Sequence, residues 1–408
     1  MRPVPALHPL ALALLAGFAL SACGPSGGQA NASAEPAAAP SEAGAEAAST
    51  AAIETREVAS QLGPITVSTL ATGLENPWAV ALLPDGRLLV TERAGKLRIV
   101  GTDGQLSEPL AGLPPILAEG QGGLMDVVAA PDFATSGRIY LGYSEPGQGR
   151  EASTAVAHAR LLDDRIEDLT VVFSQTPKLE TRHHFGVRLV FDDAGYLFIT
   201  LGDRGVRPTS QDLGSHMGGV IRIFPDGRVP EDNPFVGRDD ALPEFWSYGH
   251  RNQQGAALNP WTRALWTHEH GPRGGDEINI PQPGKNYGWP IATHGINYSG
   301  EVIPEAQGTH VEGTEPPHHV WEVSPGVSGM AFYDHERFQA WQGSLFVGAL
   351  AQRNLIRLSL DGDRITGEER LLGELGWRIR DVRVGHDGAV YVVTDEIPGR
   401  VLKLELAG

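Results

Sequence analysis

The stretch Asp193-Ala-Gly-Tyr-Leu-Phe-Ile-Thr-Leu-Gly-Asp203 joins a glycine turn, a short apolar strand and a polar end. The same order of features recurs at 84–93, 136–145, 260–270, 342–350 and 387–395, and a second strand follows at 96–100, 219–224, 354–358 and 400–404. Repeats of this size, with strands buried on both faces, are typical of a propeller. We therefore expect an all-β fold, a six-bladed β-propeller of four-stranded antiparallel blades. A pair of β-sandwiches is the alternative, but it would not repeat one strand six times.

The composition narrows the classes of partner and chemistry. The 408 residues have Lys+Arg 32 against Asp+Glu 50, a net charge of −18. Nucleic acids and anionic membrane surfaces bind basic patches, so we expect neither as a partner. With Gly 51 and Pro 30, many short strands are favoured over a helical bundle. The sequence also lacks the motifs of nicotinamide-binding folds, P-loop NTPases, zincins and serine hydrolases.

The N-terminus has the features of an export signal. An apolar run at 10–20 follows Arg2, and the next residues, Leu20-Ser-Ala-Cys23, resemble a bacterial lipobox, in which the cysteine receives the lipid. Cys23 is the single cysteine, which excludes disulfides and cysteine nucleophiles from the rest of the chain. We interpret 1–23 as a lipoprotein signal peptide; a plain signal peptide with a chance cysteine is the alternative.

Two further segments complete the predicted organisation. Residues 24–60 consist almost entirely of Ala, Ser, Glu, Pro and Gly, which predicts a disordered tether. We expect residues 61–408 to form the propeller, the domain in which a catalytic site would lie. The expected location is that of an exported, periplasm-facing lipoprotein anchored through Cys23. Gly24, rather than Asp, follows the cysteine, which favours the outer membrane over the inner.

Polar clusters follow the predicted strands and supply candidate functional residues. His183-His184 precede Asp203 by one strand, and a histidine held by a carboxylate is the usual arrangement of a general base. A structural surface histidine is the alternative. Arg378 and Arg380 are spaced i and i+2, which places both on one face of a strand. Arginines that converge at one mouth of an acidic chain indicate a polyanionic ligand.

Two glycine-rich stretches and one loop add further candidates. Gln121 lies among small residues in 119–124, which allows close approach to a flat ligand, although a simple glycine turn explains that stretch equally well. The turn 249–255 brings Arg251 and Asn252 together. The loop 269–277 combines carboxylates with glycine and proline carbonyls, and it suits a hard oxygen-seeking ion, Ca²⁺ before Zn²⁺.

Taken in order, these elements resemble the soluble pyrroloquinoline-quinone (PQQ) aldose/glucose dehydrogenases, the glucose/sorbosone dehydrogenase-like family, and among them the bacterial aldose sugar dehydrogenases. The resemblance covers roughly 65–406 and depends on the following matches: the His184-to-Asp203 spacing, His250-Arg251-Asn252 with Gln254, Glu269-x-Gly271-Pro272 with Asp276-Glu277, Tyr287, and Arg378-x-Arg380.

The resemblance implies a reaction and a cofactor site. His184 would be the catalytic base and Asp203 its orienting carboxylate, in the oxidation of an aldose at C1 to a lactone. Hydride would pass to PQQ, and the electrons would then pass to a separate acceptor, a cytochrome or a quinone. The residues implied to contact PQQ are Arg251 and Asn252 at its carbonyls, Gln121 at its edge, and Arg378 and Arg380 at its carboxylates; Arg251 would also stabilise developing charge.

The resemblance also implies two calcium ions. Carbonyls of Gly271 and Pro272 would hold a catalytic Ca²⁺, and Glu277 and Tyr287 would belong to a second, structural Ca²⁺. One position departs from the family: soluble glucose dehydrogenases have a cofactor-side lysine where this chain has Ala351, so a cation is missing or is replaced by Arg353.

Two other function classes stay open on the sequence. A calcium-dependent propeller lactonase or hydrolase would need a metal-bound water rather than a quinone, and the arginine pair at 378 and 380 argues against it. A non-catalytic surface propeller that binds glycan or protein is the other, and the pairing of His184 with Asp203 argues against that. The identity of the sugar cannot be derived from these residues.

Overall fold

Six antiparallel sheets follow one another along the chain, and their innermost strands form a closed ring. The predicted six-bladed β-propeller is therefore confirmed. The computed structural model describes residues 54–407, so the signal peptide expected at 1–23 lies outside the described residues. In the described part, no helix is both long and apolar enough to cross a membrane.

Four of the blades have four strands each, the first blade has three and the last has five. The strands are β1 (Glu54–Val58), β2 (Ile65–Leu74), β3 (Pro77–Leu82), β4 (Leu88–Glu92), β5 (Lys96–Val100), β6 (Leu124–Ala129), β7 (Arg138–Pro146), β8 (Ala152–Leu161), β9 (Ile166–Ser174), β10 (Gly186–Phe191), β11 (Leu197–Leu201), β12 (Val220–Ile223), β13 (Phe245–Ser247), β14 (Gln253–Leu258), β15 (Leu265–Glu269), β16 (Asp276–Asn279), β17 (His319–Trp321), β18 (Val327–Tyr333), β19 (Ser344–Ala349), β20 (Asn354–Asp361), β21 (Arg364–Leu371), β22 (Ile379–Val384), β23 (Val390–Thr394) and β24 (Gly399–Leu406).

The described helices are short. They comprise α1 (Phe133–Ser136) and three single 3₁₀ segments, at Arg207–Gln211, Glu336–Trp341 and Gly373–Leu375. Each connects strands rather than forming a layer of its own. The core is therefore built from sheets alone, and the strands that match the sequence repeat, such as β4, β11 and β23, are buried along their whole length.

The last blade joins the two ends of the described chain. β24 pairs with β2 on one side and β23 on the other, and β1 pairs with β2 at the outer edge. The tether predicted for 24–60 is therefore too long at its C-terminal end, because 54–58 is a strand. Val58 is its one buried residue, so main-chain hydrogen bonds to β2, not apolar burial, hold it in place. Residues 24–53 of the predicted tether lie outside the described residues.

The sequence repeat corresponds to a hairpin turn between the first and second strand of every blade. At its turn position the backbone is left-handed, with φ of 86° at Gly86, 62° at Gly137, 83° at Gly195, 74° at Gly343 and 73° at Gly388. In the fourth blade Arg263 takes this position with φ of 59°. Glycine adopts positive φ without the Cβ penalty of other residues, so five of the six copies have glycine at this turn. The fourth copy has arginine instead, which is why it looks irregular in the sequence.

The first strand of each blade lines the propeller axis. These six inner strands are β3, β6, β10, β14, β18 and β22, and each packs against the next around the ring. Every one of them has a register shift near its start, where it pairs with the second strand of its blade. Such bulges redirect side chains. All six register shifts lie at the same end of the propeller axis, where the second strand of each blade ends.

Candidate active site

Residues of all six blades, counted with the loops that lead into them, surround a cavity of about 200 Å³ at this mouth of the propeller. The lining residues are Trp78, Arg93, Gln121, Phe185, Gly186, Asn252, Gln254, His270, Leu350, Arg378, Arg380 and Asp395. They come from the starts of inner strands, the ends of second strands and the loops between them. A wider cleft of about 820 Å³ adjoins the cavity and shares His270, Leu350 and Arg378 with it.

Beside this cavity His184 and Asp203 form a close pair. The His184 Nδ1 atom lies 2.6 Å from Asp203 Oδ1, and the His184 backbone N–H donates to Gln121 Oε1 at 2.8 Å. Asp203 Oδ2 accepts from the Trp289 indole at 2.7 Å, and Oδ1 also accepts from the backbone N–H of Gly205 at 2.7 Å. The carboxylate is therefore fixed by three donors, and it fixes the orientation of the imidazole.

The electrostatics of the pair keep the two groups in complementary states. Burial lowers the pKa of His184 below its ordinary value of 6.5, although the hydrogen bond to Asp203 opposes that shift. Burial alone would raise the pKa of Asp203, but the hydrogen bond and charge of His184 outweigh it, and the pKa is lowered. At neutral pH the pair is therefore an ionised carboxylate and a neutral imidazole, with Nδ1–H directed at the carboxylate.

The segment that presents His184 is not extended. His184 has φ of 51°, so the side chains of His183 and His184 do not alternate between two faces as they would along a strand. Arg204 holds the segment instead: its buried guanidinium donates to the carbonyls of Thr181, His183 and Ala152 at 2.7–3.0 Å and lies 3.6 Å from the Phe185 ring. His183 is exposed, so His184 is the inward residue of the two.

Arg378 and Arg380 converge on one carboxylate oxygen. Each donates from Nη2 to Asp395 Oδ2 at 3.0 Å. Burial would raise the pKa of Asp395, but the charge of Arg380 and the contacts with Arg378 lower it to about 2. The buried Arg380 Nε has no hydrogen-bond partner in the described part of the chain. Two guanidiniums that share a single oxygen retain positive charge for an anionic ligand.

Asn252 lines the cavity, whereas Arg251 lies beside it. Arg251 Nη1 donates to the His270 carbonyl at 3.0 Å, and its guanidinium lies 5.2 Å from the Trp289 ring. The buried Arg251 Nε has no partner among the described residues. The unpaired guanidinium nitrogens of Arg251 and Arg380, next to a polar cavity, fit a planar anionic cofactor such as PQQ.

Two glutamates, the buried Glu269 on β15 and the half-buried Glu277 on β16, lie opposite each other. Glu269 pairs with Glu277 across the strands, and Asn279 Nδ2 donates to both carboxylates. Burial raises the pKa of Glu269 to about 7, and burial together with the charge of Glu269 raises the pKa of Glu277 well above its ordinary value. A cation bound between the two carboxylates would relieve their mutual repulsion. The pair therefore fits a metal ion that prefers oxygen ligands.

The other predicted calcium ligands lie around this glutamate pair. A small cleft is lined by Gly271, Pro272, Glu277 and Tyr287, together with Arg251 and Glu269. The Tyr287 hydroxyl is engaged, because it donates to Ile280 and accepts from Gln282. Among the residues that the structure describes, no group of three or more His, Cys, Asp or Glu side chains is placed to hold a metal. A calcium ion here would need backbone carbonyls as well as the glutamates.

The suggestion that Arg353 replaces the missing lysine is wrong. Its guanidinium donates to the Gly376 carbonyl at 2.8 Å and pairs with Glu396 at 3.3 Å, and it is absent from the cavity lining. Ala351 lines the adjoining cleft. The hydrogen bond to Gly376 and the ion pair with Glu396 direct the Arg353 guanidinium toward neighbouring loops.

Several residues that line the cavity were missed by the sequence reasoning. Trp78, Arg93, His270 and Asp395 all line the cavity. Asp395 ends the last copy of the repeat and could have been found from its position, as Asp203 was. Trp78 is turned toward the axis by the bulge in β3, between Pro77 and Ala79.

The fold and the site define a β-propeller with a histidine–carboxylate pair and a cationic cavity at one mouth, and the comparisons place it more closely. The Glucose / Sorbosone dehydrogenase family model matches 74–403. The aldose sugar dehydrogenase YliI of Escherichia coli (strain K12) is 55% identical over 343 residues, which are 83% of this chain and 92% of that protein. This chain belongs to the glucose/sorbosone dehydrogenase family, as the resemblance implied.

Solved structures agree with that assignment. A glucose dehydrogenase crystal structure is 58% identical, with a TM-score of 0.83, and the match covers 84% of this chain and 99% of that one. The PQQ-bound form of the aldose sugar dehydrogenase from Streptomyces coelicolor is 29% identical, with a TM-score of 0.70, and the match covers 84% of this chain and 98% of that one.

Proposed function

We propose that this protein is a PQQ-dependent dehydrogenase that oxidises aldose sugars at C1 to lactones and passes the electrons to a separate acceptor, a cytochrome or a quinone. The observation that carries the proposal is the His184–Asp203 pair beside a cavity whose lining is rich in arginine. Family membership and the similarity to named aldose and glucose dehydrogenases support it.

His184 is the proposed base. Its Nδ1–H is committed to Asp203, which leaves Nε2 as the acceptor for the proton of the sugar C1 hydroxyl. The side chain is 15% exposed, so a substrate can reach it without rearrangement of the propeller. Asp203 stabilises the imidazolium that forms after proton transfer, since its carboxylate is in direct contact with the ring.

The cavity residues would hold the cofactor. PQQ, when bound, supplies the acceptor for the two electrons removed from the sugar. Arg378 and Arg380 would bind its carboxylates, while Asn252 and Gln121 present amide groups to its edge and carbonyls. Arg251 would place positive charge near the cofactor oxygens from beneath the cavity wall.

Calcium is the proposed metal. Glu269 and Glu277 would hold one ion together with backbone carbonyls, including that of Tyr287. Carbonyls of Gly271 and Pro272 would contribute to an ion nearer the cofactor. Support comes from the close opposition of Glu269 and Glu277 across β15 and β16, because a bound cation would relieve the repulsion between the two carboxylates.

We also propose that the protein is an exported lipoprotein, anchored through Cys23 and facing the periplasm, with the outer membrane favoured. The lipobox-like sequence and the acyl-accepting cysteine support this. Fractionation of cells that express the wild type and Cys23→Ser tests it. The wild type should remain with outer membranes, whereas the variant should be released; identical fractionation of the two would contradict the anchor.

Reconstitution tests the activity. Purified protein loaded with PQQ and Ca²⁺ should reduce an artificial dye when given glucose or another aldose, and the product should be the lactone by mass spectrometry. His184→Ala should lower turnover by roughly 10²–10⁴-fold, while His183→Ala serves as the matched control. No dye reduction across an aldose panel by folded, PQQ-loaded protein would overturn the proposal and favour a binding module.

A further inference from the structure

Arg93 lies at the mouth directly after β4, and no role has yet been assigned to it. Its side chain lines the cavity, and Nη1 donates to the Gly120 carbonyl at 3.1 Å. Its main chain is fixed, because the backbone N–H donates to Asn76 at 3.1 Å. A Cβ at Gly123 would lie 1.9 Å from the Arg93 carbonyl oxygen, so the loop that contains Gln121 closes directly onto this residue.

The charges that line the cavity do not balance. Arg93, Arg378 and Arg380 face a single lining carboxylate, that of Asp395. Arg378 and Arg380 share one oxygen of that carboxylate. Arg93 makes no ion pair with any carboxylate of the described chain, and its side chain donates instead to the neutral Gly120 carbonyl. The cavity therefore has surplus positive charge, and part of it lies on the first blade, where no carboxylate of residues 54–407 pairs with Arg93.

We propose that Arg93 is a cofactor-binding residue whose charge contacts an anionic group of the bound quinone from the first blade. It would supply the cation that Ala351 cannot supply from the fifth blade. This inference rests on the proposed function, because it assumes that a polyanionic quinone occupies the cavity. An arginine that kept its charge for structural reasons would be expected to pair with a carboxylate, whereas this one points its charge into a polar cavity.

The test measures PQQ affinity by titration, without substrate, in the presence of Ca²⁺. Arg93→Gln retains a donor for the Gly120 carbonyl but removes the charge, and it should weaken binding by roughly tenfold to a hundredfold. Arg93→Lys retains the charge and should bind more tightly than Arg93→Gln. Adding Ala351→Lys to Arg93→Gln should restore part of the affinity, because it returns a cation from the fifth blade, at the adjoining cleft. Arg353→Gln is the matched control, since Arg353 does not line the cavity.

The outcomes separate this inference from the proposed function. Arg93→Gln that binds PQQ as the wild type does would overturn the role of Arg93 and leave the dehydrogenase proposal standing. Equal losses in Arg93→Gln and Arg93→Lys would also overturn it, because they would indicate a loop contact rather than a charge. A wild type that binds no PQQ would overturn both. A weaker dependence of affinity on salt in Arg93→Gln than in wild type would support the charge contact.

Discussion

Asp203→Asn is the substitution that tests the proposed base most directly, because it changes the charge of the pair and hardly changes its volume. Asp203 accepts hydrogen bonds from His184, Trp289 and Gly205, and its side chain is completely buried. An asparagine offers one acceptor oxygen and one NH₂ group in the same place. It cannot satisfy all three donors.

Both orientations of the asparagine amide disturb the site. With its oxygen toward His184, the NH₂ group meets the indole N–H of Trp289, and two buried donors oppose each other. An unsatisfied buried donor costs about 1–3 kcal/mol in unfolding free energy. With the NH₂ group toward His184, Nδ1 becomes an acceptor and the ring proton moves to Nε2, so the imidazole can no longer accept a proton there. We expect kcat to fall by roughly 10²–10⁴-fold.

The pH profile separates this mechanism from general damage. His184 acts as a base in its neutral form, so kcat/KM of the wild type should fall as the pH drops through a pKa below 6.5. Asp203 opposes the lowering of that pKa, and its removal should move the acidic limb to still lower pH. The variant should therefore combine a much lower plateau with a limb displaced toward acid, measured by steady-state dye reduction from pH 4 upward (about two units below the ordinary histidine pKa).

Two results would refute the reasoning. A plateau equal to that of the wild type would show that Asp203 does not orient the base. A limb displaced toward higher pH would show that the titrating group is not an imidazole stabilised by this carboxylate. Titration with PQQ provides the control, because Asp203 does not line the cavity and affinity should be unchanged.

Two other substitutions test the cofactor and the metal separately. Arg378→Ala removes a charge-assisted contact and should weaken PQQ binding by roughly tenfold to a hundredfold, with activity recovering at excess PQQ; His184→Ala should not recover, and equal behaviour of the two would contradict the assignment. Glu277→Gln should abolish the rise in Tm that Ca²⁺ gives the wild type, measured by calorimetry with and without chelator; a variant that still gains the full Ca²⁺-dependent stabilisation would remove Glu277 from the metal site.

The sequence predicts the propeller well because its turns depend on local chemistry. A left-handed turn residue favours glycine wherever it occurs, so the repeat is visible without any knowledge of contacts. The closure of the ring was not predicted, because the pairing of β2 with β24 joins segments that are remote in the chain. β1 was assigned to the tether for a related reason: composition reports apolar burial, and this strand depends on main-chain hydrogen bonds instead.

The candidate site was predicted where a residue ends a copy of the repeat or belongs to a family motif. His184 and Asp203 were found in this way, and they do meet. Which of His183 and His184 faces the site depends on the local backbone, where His184 has φ of 51°, and the spacing of the residues does not reveal that conformation. Arg93 also ends a copy of the repeat, but it was not selected, because its significance depends on which carboxylates lie near it. That is a property of the folded molecule.

The site exists because each inner strand departs from regular pairing at its start. In β3, β14 and β22, one residue at the register shift has no pairing partner on the second strand of the blade. These residues are Trp78, Gln254 and Arg380, and all three line the cavity. A bulge leaves one residue without a partner and bends the strand, so its side chain can point along the axis instead of into a sheet interface. The apolar repeat therefore builds the scaffold, and its interruptions supply the polar groups.

A second layer beneath the cavity fixes these interrupted strands. Arg188 and Arg383 each pair with both Asp126 and Asp381, at 2.8–3.1 Å. These four charged side chains come from β6, β10 and β22, so their ion pairs connect three blades across the axis. Burial of charge is costly unless every group is paired, and here each one is. The Arg188 guanidinium lies 4.2 Å from the Trp78 ring, which links this charged layer to the wall of the cavity above it. The positions of the bulged residues therefore depend on the packing of the whole ring.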